Sequence, residues 1–423
     1  MILRKNICFG WLLLLLLVSG IRVASAQELN KAYKKSFKVR VSNPVNLQRE
    51  DVMVFLGEAE LKRKHPDFNP DAFVVFAGEK EVPSQYNRHD VYNKGVVLVL
   101  DKMAPKAVQV LTVRYNENGV SKRAYPKRTQ AELSHKMGGA FKDRKYIGGA
   151  FANVDSLRVP AEHTDHSFYI RYEGPGWESD KVGYRFYLDW RNATDVFGKK
   201  TPDMVLQQVG QDGFDSYHNM QPWGMDVLKV GKTLGVGTLA LFDAGKAIRV
   251  DKTDSLRSSV KENGAVYSSI LTDYYGWEVA GQKLDIHAQL SIHGGSRLTH
   301  YQVDVDGGQP QNLSTGLIKD SKAKLFTSKG DEMEWGYIAT YGAQSLNNDN
   351  LGIAVLFRPN DLIGIDQDEL SHVVKLKPVN NKVEYYFLAA WELEPQGIKT
   401  EEQFLSYLKK TAQELAKPVQ VKF

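Results

Sequence analysis

The sequence predicts an all-β protein, a large antiparallel supersandwich preceded by a small β-sandwich and closed by a C-terminal helix. Short β-branched runs recur from Ser36 to Tyr115 with prolines between them, and alternating apolar and polar segments fill most of the chain from Arg144 to Trp391. Only one long stretch, Thr400 to Pro418, has helical periodicity with its own start and stop signals. Many strands and few helices point to packed sheets.

The chain begins with Arg4 and Lys5, an apolar run from Ile7 to Val18 with six consecutive leucines, and then Ala24-Ser25-Ala26. This is the tripartite pattern of a secretory signal peptide over residues 1–26, with cleavage expected before Gln27 and a periplasmic or secreted product. The run is short for a membrane span and no later segment approaches one, so no membrane anchor is expected. Cys8, the single cysteine, lies inside the leader, so neither a disulfide nor a lipidated terminus is expected in the mature chain.

Residues 28–120 read as the small sandwich. Its runs are Phe37–Val41, Val52–Leu56, Ala72–Gly78, Gly95–Asp101 and Ala107–Tyr115, parted by turns such as Asn43-Pro44 and Ala104-Pro105. Residues 121–143 read as a linker with a short helix near Gln130–Met137, stopped by Gly138-Gly139. Residues 144–423 read as the supersandwich with the final helix, whose Thr400 and Gln403 form a capping-box pattern.

Formal charge is +5, and three of the bases belong to the expected leader, leaving an excess of two. That balance gives no case for a nucleic-acid partner. With 20 Tyr and 7 Trp, the aromatic content suits a surface that stacks on pyranose rings.

Candidate chemistry comes from strands with a polar second face. In Gly183–Arg191, Tyr184, Phe186, Leu188 and Trp190 share one parity, and Arg185, Tyr187, Asp189 and Arg191 share the other. The second set suits a groove for a polar, anionic ligand. Arg171 shares a parity with Tyr169 and Glu173, and in Lys283–Gly295 the polar parity carries His287 and His293. The long segment 207–231 bears Tyr217, His218, Trp223 and Asp226, and Trp177 sits in a Gly-Pro-Gly-Trp turn. His218 is the leading proton-transfer candidate, with Tyr217 or His287 as its counterpart, because histidine titrates near neutral pH without perturbation. Arg171, Trp177, Arg185, Tyr187, Asp189, Arg191, Trp223 and His293 are the substrate-binding candidates.

His163-x-Asp165-His166 lacks a further ligand nearby in the sequence, and no metal site is expected. Gly231-Lys232-Thr233 lacks the preceding glycine of a phosphate loop, and neither Gly-x-Ser-x-Gly nor His-Glu-x-x-His occurs, so no cofactor is expected.

The segments YEGPGWESDKVGYRFYLDWRN, YHNMQPWGMDVLKVGKTLGVG and YYGWEVAGQKLDIHAQLSIHGGSR resemble a family of secreted bacterial proteins known as a domain of unknown function. Its members accompany glycan-degrading enzymes and include an oligosaccharide dehydratase acting on ulvan. The resemblance spans nearly the whole mature chain. It implies a galactose-mutarotase-like supersandwich, an acidic oligosaccharide as substrate, and loss of water from a non-reducing-end uronic acid. It implies no catalytic residues. The alternatives are a glycoside hydrolase drawing a carboxylate pair from Glu173, Glu178, Asp180, Asp189 and Asp226, and a glycan-binding protein without catalysis.

Overall fold

Alternation builds the N-terminal part. In the strand Lys35–Ser42 the buried positions are Phe37, Val39 and Val41, and Val52, Val54 and Leu56 repeat the pattern in Arg49–Gly57. The structure, a computed structural model, describes residue 29, residues 31–213 and residues 215–423; the expected leader over residues 1–26 lies outside the described residues. A five-stranded and a three-stranded antiparallel sheet close on this core. The edge of the larger sheet is Gln420–Lys422, paired with Lys35–Ser42, so the first and last described strands both build this sandwich.

The rest is a supersandwich. One layer is a nine-stranded antiparallel sheet running in space from Ser156–Arg158 through Gln282–His293 and Lys382–Trp391 to Ala323–Ser328. The facing layer has two five-stranded sheets. One is ordered Gly224–Asp226, Thr194–Lys199, Val182–Phe186, Gly176–Ser179 and Thr129–Glu132. The other runs from Lys246–Arg249 to Leu362–Gln367. Between the layers lie Trp277, Trp391, Phe387 and the aliphatic parity of each strand. Each such side chain contributes about 1.5–3 kcal/mol by leaving water.

The final helix is Glu401–Ala416, and its Thr400 Oγ1 accepts from the Gln403 amide at 3.2 Å. It lies on the outer face of the nine-stranded sheet, where Phe404 stacks on Tyr341 with ring centres 5.3 Å apart. That approach requires Gly352, since a Cβ there would stand 2.4 Å from the Phe404 ring. No described helix is long and apolar enough to cross a membrane.

Three expectations are corrected. The helix expected near Gln130–Met137 is strand, because Thr129–Glu132 adds to the sheet edge beside Gly176–Ser179 and Ser134–Lys142 opens a hairpin. Tertiary pairing overrides local propensity there. Residues 166–174, expected as a strand, form an irregular segment with a short 3-10 turn at Arg171–Glu173. The strand expected over 183–191 ends at Phe186, after which Asp189–Asn192 is a turn.

Candidate active site

The sheet holding Val182–Phe186 has two unlike faces. Trp177, Tyr184, Phe186 and Val196 point into the main core. The alternate residues Glu132, Glu178, Arg185, Asp195, Lys199 and Asp226 are ionisable and equally buried. The irregular segments 160–174 and 200–223 cover them: Arg171 and Tyr172 bond Glu132, the Val205 amide bonds Glu178, and Tyr217 bonds Arg185. Removing such ions from water costs several kcal/mol each, offset only by close pairing. Active sites are where such arrangements concentrate.

Arg185 is the hub. Its Nη2 donates to Asp195 Oδ2 at 2.8 Å and to Asp226 Oδ2 at 2.5 Å, and its Nη1 donates to the Tyr217 hydroxyl at 2.8 Å. Tyr187 donates to Asp195 at 2.5 Å, with its ring centre 4.7 Å from the Arg185 guanidinium carbon. From this hub a chain of alternating charge runs to two histidines. On one side, Asp226 Oδ2 is 3.3 Å from His218 Nε2. On the other, Arg185 Nη1 is 3.7 Å from Glu173 Oε2, and Arg191 Nη2 is 2.9 Å from Glu173 Oε1 and 3.0 Å from Asp165 Oδ1. Asp165 Oδ1 is in turn 2.6 Å from His166 Nδ1. The side chains of His218 and His166 are 41% and 50% exposed, whereas everything between Asp226 and Arg191 is buried. Two accessible imidazoles thus terminate one buried relay.

The backbone is strained at the same place. His166, Phe168, Tyr172 and Glu173 have φ of 57°, 60°, 38° and 72°, in the left-handed region that side chains disfavour. Each such residue costs of order 1–3 kcal/mol, and strain of this kind clusters at functional sites.

The relay sets its own protonation. The bond to Asp226 raises the His218 pKa against the opposing effect of burial. Burial works against ionisation of Glu173, but the Arg191 and Arg185 guanidiniums outweigh it and hold the carboxyl down at about 2. Burial, with Asp226 alongside, pushes Asp195 up to about 7. Burial likewise raises Asp165, and burial raises the Tyr187 and Tyr217 phenols, which stay protonated at neutral pH.

Of the residues predicted from sequence, Arg185, Tyr187, Tyr217 and His218 come together here. Asp189 and Arg191 adjoin them as a mutual pair, Arg191 Nε donating to Asp189 Oδ1 at 2.9 Å. They do not line an open cleft: Arg185, Tyr187 and Tyr217 are sealed in, so none of the three touches solvent as a free binding group. Trp223 packs edge-on against Phe197, ring centres 5.9 Å apart, and Arg171 is held by Glu132. Trp177 is on the opposite face, stacked on Tyr184 in the core and donating to Thr299 at 2.8 Å. His287 and His293 belong to the nine-stranded sheet and lie on its outer parity, away from the Arg185 cluster. His287 pairs with Asp273 at 2.7 Å, and His293 lines a cavity of about 550 Å³ between that sheet, the N-terminal sandwich and the final helix. Parity identifies a face within one strand but not which sheets share a face. Asp195 and the exposed His166 were missed as site residues. The His163-x-Asp165-His166 cluster was the available signal.

Ligating atoms of Asp165, His166 and Glu173 lie within 4.8 Å of one another, a spacing open to a metal ion. Arg191 already bridges both carboxylates, so the group these residues fit is a guanidinium.

The chain matches the domain of unknown function DUF4861 over residues 41–421. No curated protein matches it. Among solved structures it is similar to a glycosyl hydrolase family 38 protein from Enterococcus faecalis, at 10% identity and TM-score 0.49, covering 92% of this chain and 47% of that one. An α-mannosidase from Enterococcus faecalis V583 is similar at 10% identity and TM-score 0.47, covering 92% and 46%. The chain thus spans just under half the length of these two structures.

Proposed function

Taking as premise that the chain belongs to the DUF4861 domain family, we propose that it is an enzyme of acidic-oligosaccharide breakdown, a dehydratase that removes the 4-hydroxyl of a non-reducing-end uronic acid. The observation that carries this reading is the relay of alternating charge ending in two accessible imidazoles, His218 and His166. The substrate class comes from the resemblance to a family that includes an ulvan oligosaccharide dehydratase.

Elimination needs a base at C5 and an acid at the leaving oxygen. His218, oriented by Asp226, takes the C5 proton. The C5–H electron pair becomes the C4–C5 double bond, the C4–O bond breaks, and the hydroxyl departs as water with a proton from His166. Arg185 does not contact substrate, being fully buried; it fixes Asp226 and, with Tyr217, the geometry behind His218. Tyr217 is therefore a positioning residue in this mechanism rather than the proton-transfer counterpart expected from sequence.

The test is incubation with uronate oligosaccharides while following ultraviolet absorbance. Growth of absorbance from a conjugated C4–C5 double bond supports the reading; consumption of substrate without it overturns it. A glycoside hydrolase is the second reading. Asp165 and Glu173 have oxygens within 4.8 Å and opposite displacements of their pKa values, as a hydrolytic acid and its partner carboxylate do. New reducing ends without ultraviolet absorbance would favour it. Against it, Glu173 is buried under two arginines, and Glu178, Asp180 and Asp189 are each bound to a cation.

A further inference from the structure

The mechanism leaves a charge unaccounted for. A uronate carboxylate must be neutralised for C5 to lose its proton, yet both arginines of the site are spent on Asp165, Glu173, Asp189, Asp195 and Asp226. Cations that meet an anionic glycan have to come from another element.

The hairpin Ser134–Lys142 and Lys145–Asn153 supplies them. Its strands pair with each other, from Lys145 opposite Lys142 to Asn153 opposite Ser134, and apart from a single bridge between His135 and Ile170 they join no other described strand. It is fastened to the strained segment of the site. The Lys136 amide donates to Tyr169 O at 2.8 Å, the Tyr146 amide to Ser167 O at 2.7 Å, and Arg144 Nη2 to Thr164 Oγ1 at 2.9 Å. Asp165 and His166 lie within that stretch. Lys136 Nζ sits 5.4 Å from the Phe151 ring centre and 5.8 Å from that of Phe168, two residues beyond His166.

The tip carries Lys142, Arg144 and Lys145 against one acid, Asp143, and all four are exposed. Lys142 and Lys145 stand directly opposite in the register, and among the described residues neither has an ion pair. Like charges directly opposite destabilise a hairpin, and a bound anion relieves that. Between tip and base, Ile147 is 57% exposed and, paired with Ala140, shares by alternation the face of Lys142 and Lys145. A face on which an exposed apolar side chain adjoins unpaired cations matches a sugar chain bearing acidic groups, whose ring faces are apolar.

We infer that this hairpin is the arm that holds the anionic groups, carboxylate or sulfate, of an acidic oligosaccharide and feeds its end to His166 and His218. The inference rests on the acidic-oligosaccharide reading above.

The experiment compares the full protein with a Lys142→Ser, Lys145→Ser variant. The probes are ulvan-derived oligosaccharides, native and chemically desulfated, read by ultraviolet turnover and by calorimetric binding at several salt concentrations. The expected result is a KM raised about 10-fold with kcat within about 2-fold of wild type, the signature of lost uniform binding, and a flatter dependence on salt. Loss of the KM effect on desulfated chains assigns the arm to sulfate, and its persistence assigns the arm to carboxylate. Normal KM and salt dependence in the variant, beside an active wild type, overturn the hairpin inference and leave the acid–base reading standing. A wild type that neither binds nor converts these probes overturns the acidic-oligosaccharide reading itself.

Discussion

The carboxylate oxygen of Asp226 that accepts from Arg185 at 2.5 Å also stands 3.3 Å from His218 Nε2. One buried atom therefore joins the centre of the charged cluster to the imidazole at its surface. The geometry orients His218 as a carboxylate orients histidine in many acid–base sites, with the guanidinium holding that carboxylate in place.

His218→Ala is expected to lower kcat about 100-fold or more, the usual contribution of a general acid–base group. The side chain is two-fifths exposed, with its ring centre 4.7 Å from that of Tyr217, so thermal unfolding should shift little. Near-normal turnover in a folded variant would remove His218 from the chemistry and leave His166 as the sole accessible imidazole of the relay.

The pH profile tests the pair more sharply. His218 has its pKa raised by Asp226, so this contact contributes stability that is fully present below the unfolded histidine value of about 6.5 and is lost as pH rises through the folded value. A base must be neutral, so turnover should climb with pH through that raised value. Asp226→Asn removes the raising charge and should move the acidic limb of kcat/KM to lower pH. A limb unmoved in that variant means a different group is titrating.

The fold was far more legible than the site, for a physical reason. Leu284, Ile286, Ala288, Leu290 and Ile292 alternate with polar residues, and that period alone identifies a strand with one face in a core. What covers the other face is a tertiary matter. Gln289 is buried because its amide donates to Asp90 of the N-terminal sandwich, and Arg185 is buried because 160–174 and 200–223 fold across it. Parity also fails where a strand ends unannounced, as after Phe186, so Asp189 and Arg191 reach the cluster from a turn. His166 was passed over because its partners, Asp165 and Glu173, are assembled by left-handed residues that no local signal marks.

Gly352→Ala is expected to destabilise the protein by about 1–3 kcal/mol, the usual cost of overpacking. The added Cβ would stand 2.4 Å from the Phe404 ring where the final helix meets the sheet. Chemical denaturation measures this directly. Phe404→Leu alone should also destabilise, by loss of buried area, yet the two together should cost less than their sum because the smaller side chain makes room. Additive costs would show that the glycine is not needed for helix docking.

Arg185→Met separates the electrostatic role of the hub from its bulk. The change leaves Asp195, Asp226 and Glu173 without their shared cation in a site closed to water, and breaking a buried pair of this kind costs about 3–5 kcal/mol. Asp195 is already pushed up to about 7 with Arg185 in place. Without it, the cluster's carboxyls should take up protons more readily in the folded than in the unfolded chain. A folded state that binds the extra protons gains stability as pH falls. The stability gap between wild type and variant should therefore be widest near pH 8 and narrow towards pH 5, followed by urea unfolding across that range. Activity should fall in the same variant even where folding recovers, since Asp226 loses the guanidinium that fixes it behind His218. A gap independent of pH would mean that Arg185 acts by packing against Tyr187, Phe197 and Tyr217 rather than by charge.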